Sequence, residues 1–166
     1  MRITRGMAAV AALLGAGAAQ AQESVEAIHF KRDFCRGLKQ LVEAAAEARR
    51  QPPAEAGRVF LDIYNRRSAT SWFGFRPGAC RASAGTEKYP ASYWCHQHLA
   101  PLHLSLESLS RETAACYPEA KAERDRWGRG ATFTLPDARI QIGESGGPRA
   151  KVGRIVRLTV EAIPSN

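Results

Sequence analysis

Three histidines and a cysteine stand close together as Cys95-His96-x-His98-x4-His103, which gathers three of the chain's four histidines. Neutral imidazole binds Zn²⁺ and Cu²⁺ well, so His96, His98 and His103 are the candidate metal ligands. Their spacing does not suit a helix, where ligand pairs stand four residues apart. His96 and His98 would face the same way only on an extended segment. Cys95 cannot ligate if it is in a disulfide, and the nearest carboxylate is Glu107. The plainer reading is a set of polar histidines in a surface loop.

A second group of residues interleaves arginine with aromatic rings. Tyr64, Arg66, Arg67, Trp72, Phe73, Phe75, Arg76 and Arg81 form one run, and Arg124, Arg126, Trp127 and Arg129 form another. Guanidinium groups neutralise anions and aromatic faces stack on rings, so such a surface suits a polyanion. The binding candidates are Arg66, Arg67, Arg76, Arg81, Arg124, Arg126, Trp127 and Arg129. The competing reading buries Trp72, Phe73 and Phe75 in the core, with the arginine stems lying over them. No nucleic-acid motif accompanies these residues, and no specific nucleic-acid ligand is expected.

Signatures of catalysis are missing. The chain holds no Gly-x-Ser-x-Gly, His-Glu-x-x-His, phosphate-binding loop or dinucleotide fingerprint. Glu144-Ser145-Gly146-Gly147 reads as a hairpin loop, where a serine is a turn residue. A non-catalytic protein is the expectation.

The chain's beginning speaks to its compartment. Arg2 and Arg5 precede an apolar run from Met7 to Ala19, and Ala19-Gln20-Ala21 offers small residues at a cleavage site. Residues 1–21 are read as a cleaved secretory signal, and residues 22–166 as a single domain. No transmembrane segment is expected after cleavage. Loss of Arg2 and Arg5 lowers the formal charge from +8 to +6. A basic chain of this kind is attracted to polyanions such as phosphorylated lipids or acidic polymers. Four cysteines in an exported chain, with no Cys-x-x-Cys, read as two disulfides.

These chemical groups need elements to position them. From Ser24 to Arg50 apolar residues recur every three or four positions, with Ser24 as cap and Pro52-Pro53 as stop. Residues 58–66 suit a short helix, although they alternate as a strand would. Ser71–Arg76 reads as an aromatic strand, and residues 77–91 as a loop rich in turn formers. Ser105 caps a second main helix, with Leu104 and Leu109 spaced as a hydrophobic staple. Residues 119–130 read as an exposed connection. Ala131–Leu135, Arg139–Gly143 and Val152–Glu161 then alternate as three strands.

The fold class expected is α+β, with two main helices packed on an antiparallel sheet that ends in a three-stranded meander. Cys35 and Cys116 each lie on the inward face of a helix, so Cys35–Cys116 is the pairing expected, leaving Cys80–Cys95. Cys95–Cys116 would have to fold back across a helix of ~17 Å, against the ~7 Å a disulfide allows between Cα atoms. The function these features suggest is binding of an envelope protein or an anionic envelope component. The alternative is a periplasmic metal-binding protein using the histidine cluster.

Overall fold

The computed structural model describes residues 25–67, 74–86, 88–100, 104–146 and 153–164, without the side chains of 25–29, 31–32 and 53–54. The signal expected over residues 1–21 and the Ser24 cap lie outside the described residues. Helix α1 (Val25–Arg50) buries Phe30, Phe34, Leu38, Leu41, Ala45 and Ala48 along one stripe, the spacing the sequence predicts. Helix α2 (Pro53–Arg67) follows at once, beginning earlier than the helix expected from residue 58. It buries Phe60 completely, and its Gly57 lies so close to Ala84 that a Cβ there would collide with the Ala84 backbone.

Among the described residues, six strands form one antiparallel sheet: β1 (Cys80–Ser83), β2 (Ser92–His98), β3 (Lys121–Arg124), β4 (Gly130–Thr134), β5 (Ala138–Ser145) and β6 (Ile155–Ala162). Their order across the sheet is β1-β2-β6-β5-β4-β3. Helix α3 (Leu106–Cys116) carries the chain from β2 to the far edge, and the chain returns as a meander that ends beside β2. The meander of β4, β5 and β6 is as expected, and β3 extends it by one strand.

Among the described residues, the three helices lie on one face of the sheet. α2 packs against β1 and β2, α1 against β6 and β5, and α3 against β5, β4 and α1. Between them lie Tyr93, Cys95, Ile140, Ile142, Val156, Leu158 and Val160, all nearly or fully inaccessible. Each such large apolar side chain stabilises the fold by about 1.5–3 kcal/mol relative to exposure. Among the described residues, nothing covers the opposite face.

Two disulfides join the pairs expected. Cys35–Cys116 links α1 to α3, and Cys80–Cys95 links residues directly opposite each other on β1 and β2. No described helix is long and apolar enough to cross a membrane.

Three local expectations change. Within Ser71–Arg76, residues 71–73 lie outside the described residues, while Gly74 turns at φ 92° and Phe75 makes only an isolated bridge. The Gln97 side chain accepts the Arg76 amide at 2.9 Å, taking the place of a ladder bond. The loop expected over 77–91 contains β1, which the Cys80–Cys95 crosslink holds against β2. The connection expected over 119–130 contains β3, an edge strand whose four residues are all exposed. Its charged sequence hid the strand, because an edge needs no apolar alternation.

Candidate functional site

Strand alternation and register fix what the bare face presents. One cross-strand row runs Trp94–Thr159–Gln141–Thr132, a second His96–Arg157–Gly143–Gly130, and a third Ser92–Glu161–Arg139–Thr134. In the third row Arg139 bridges Glu161 at 3.0 Å, and Gln141 donates to the same carboxylate oxygen at 2.9 Å. At the β3 edge Lys121 pairs with Glu123 at 2.7 Å. The acids of this face therefore have cationic partners on the face itself.

The second row differs. Gly143 contributes no side chain, and a Cβ placed there would meet nothing within 4 Å. A trough of about 390 Å³ results, lined by His96, Arg129, Gly143, Glu144, Ser145, Ile155 and Arg157. Arg129 is seated beside it because its carbonyl accepts the Glu144 amide at 2.8 Å. The turn before it is organised by Asp125, whose Oδ1 accepts the amides of Trp127 at 3.0 Å and Arg129 at 2.9 Å. Trp127 is 70% exposed, with the Arg126 guanidinium 4.3 Å from its ring centroid.

Among the described residues Glu144 is the one acidic residue lining the trough, and alternation on β5 turns its carboxylate to the helix-bearing face, opposite Val156, where its charge is offset. It accepts the Leu106 amide at the start of α3 and lies 4.0 Å from the Arg154 guanidinium. The positive end of a helix and a neighbouring cation both favour a carboxylate there. Arg129 and Arg157 are left to set the sign of the trough. Partial burial holds the His96 pKa below the usual histidine value, with repulsion from His98 and Arg157 acting in the same direction. At neutral pH His96 is thus an uncharged imidazole that can donate one hydrogen bond.

A second cleft of about 350 Å³ lies on the other side of Arg129, where Arg124 and Gly128 approach the start of α3. Arg124, Arg126, Trp127 and Arg129 therefore form one basic corner. Arg66, Arg67, Arg76 and Arg81 do not join it. β1 and β3 are opposite edges of the sheet, five strand spacings or about 24 Å apart. Arg66 and Arg67 border a groove between α1 and α2 that also holds Glu43, Glu47, Glu55 and Asp62. Those four carboxylates compensate the cations. Arg81 donates to the carbonyls of Gly78 and Cys80, both at 2.7 Å. The eight residues the sequence groups as one binding surface are two groups, and the one at the trough has Asp125 engaged by its own turn and Glu107 and Glu144 on the far side of Arg129, in the second cleft.

β2 places His96 and His98 on the same side of an extended segment, with ring centroids 4.8 Å apart. His103 lies outside the described residues. Among the described residues no group of three or more His, Cys, Asp or Glu side chains is placed to hold a metal ion.

Sequence reasoning missed Gly143 and Arg157 as parts of the site. Arg157 was legible as a polar position on its strand, but nothing in the sequence says that β6 pairs with β2 and sets it opposite His96. Neither a protein-family model, nor a curated protein, nor a solved structure matches this chain.

Proposed function

We propose that this chain is an exported, disulfide-crosslinked, non-catalytic protein of the bacterial envelope that binds an anionic envelope component in the Gly143 trough. What carries the reading is the convergence of Arg129, Arg157 and His96 on a space that Gly143 leaves open, beside a carboxylate already engaged by a helix start. Guanidinium groups offer paired N–H donors in a plane that matches phosphate and carboxylate oxygens. The formal charge of +8 over the whole chain adds a general attraction for polyanions. Export is supported by the basic and apolar beginning of the sequence and by two disulfides, which persist in oxidising compartments.

Immobilised mature protein challenged with envelope fractions tests the reading. Retention at low salt should weaken steeply as salt rises, because exposed charges are screened. The Arg129→Ala/Arg157→Ala variant should retain little at either condition. Retention that ignores both salt and the double substitution would point to a packed protein partner instead.

A second reading rests on one observation, the His96 and His98 rings sharing a face 4.8 Å apart. On it, the two imidazoles bind Zn²⁺ or Cu²⁺, with His103 as the third ligand the sequence suggests. Near-stoichiometric metal uptake at neutral pH, lost on replacing the histidines, supports that reading. Uptake that survives the replacement ends it.

A further inference from the structure

We infer that the anion is the phosphate of a phosphorylated glycan, whose sugar rings lie along the Trp94–Thr159–Gln141–Thr132 row while the phosphate sits in the trough. The inference rests on the anion-binding reading and adds the chemistry of the remainder of the ligand. It comes from the adjacency of two rows on the same bare face. Trp94 and His96 are two residues apart on β2, as are Thr159 and Arg157 on β6 and Gln141 and Gly143 on β5. The rows are therefore parallel and about 7 Å apart.

The two rows differ in chemistry. The trough row offers guanidinium and imidazole N–H groups around a gap. The neighbouring row offers an indole, two hydroxyls and an amide, with no charged side chain among its four central members. An indole face carries negative quadrupole density and attracts the polarised C–H face of a pyranose ring. Threonine hydroxyls and a glutamine amide both donate and accept, which matches sugar hydroxyls. Gln141 is already oriented, since its Nε2 donates to Glu161 Oε1 at 2.9 Å, and its carbonyl oxygen can still accept. An acyl-chain ligand would find no apolar groove in this row. A bare phosphate would use the trough and leave the row idle.

Titration calorimetry separates these possibilities. The probes are a phosphorylated oligosaccharide, the same oligosaccharide without phosphate, inorganic phosphate, and phosphatidylglycerol vesicles. The wild-type mature protein should bind the phosphorylated oligosaccharide at least tenfold more tightly than inorganic phosphate, and the unphosphorylated one weakly or not at all. Trp94→Thr keeps a strand-forming residue and should lower affinity for the phosphorylated oligosaccharide to that for phosphate, leaving phosphate binding unchanged. Gln141→Ala, at an exposed position, is the second variant and should cost the glycan severalfold with no effect on phosphate. Equal affinity for phosphorylated oligosaccharide and phosphate would overturn the glycan inference and leave the anion site standing. Vesicles bound as well as the glycan would overturn it in favour of a lipid surface. If no phosphate-bearing probe binds, the anion reading falls as well.

Discussion

The backbone amide of Leu106 donates to the carboxylate of Glu144, joining residues 38 apart in the chain. One side chain thereby completes the start of α3, alongside the Ser105 hydroxyl that accepts the Ser108 amide at 3.1 Å. It also keeps a negative charge at the margin of a basic trough. Glu144→Gln keeps an acceptor for Leu106 but removes the charge. The expected loss of stability is about 0.3–1 kcal/mol, the usual value of a carboxylate at a helix start. Anion affinity should rise on the order of threefold as a nearby repulsion disappears. Urea unfolding and calorimetry on the same variant check both directions.

The two crosslinks should differ in their contribution. Cys35–Cys116 closes 81 residues and Cys80–Cys95 closes 15. On the chain-entropy account, removing the first by paired alanine substitution costs somewhat over 4 kcal/mol and removing the second about 3 kcal/mol. Non-reducing urea denaturation of the two double variants should rank them in that order.

Alkaline pH should destabilise the fold through two tyrosines. Burial pushes both Tyr93 and Tyr117 up to about 12, with Tyr64 beside the first and Glu43 and Glu119 beside the second. The unfolded chain ionises these phenols near 10, so between pH 10 and 12 it binds fewer protons than the folded chain. Stability is then fully present below pH 10 and is lost as pH rises towards 12. Phenolate absorbance should show two of the four tyrosines ionising late, and Tyr117→Phe should reduce the alkaline loss. An unfolding free energy flat from pH 9 to 12 would contradict it.

Much of the fold was legible wherever burial imposes a period. α1, α3 and the strands β4 to β6 each carry an apolar stripe, and the inward faces of Cys35 and Cys116 led to their pairing. β1 and β3 were not legible, because a four-residue strand shows no clear period and edge position removes the need for an apolar one. Half of the site could be read. His96, His98, Arg124, Arg126, Trp127 and Arg129 stand out by residue type. Their neighbours Gly143 and Arg157 are ordinary strand residues whose meaning comes only from the order β2-β6-β5-β4. Sequence could group arginines by proximity along the chain, whereas charge balance depends on which carboxylates face them. That is why Arg66 and Arg67 belong with Glu43 and Asp62 and not with Arg129.

If the open space at Gly143 is the binding site, Gly143→Leu fills it. The position has room for a Cβ and sits in a strand, where a side chain is favoured over glycine, so the variant should fold with a melting temperature equal to or above the wild type. Calorimetry of wild type and variant against inorganic phosphate and a phosphorylated envelope polysaccharide at low salt is the measurement. At least a tenfold loss of affinity for both probes is expected in a fully folded variant. A folded Gly143→Leu protein that binds them as tightly as wild type would contradict it.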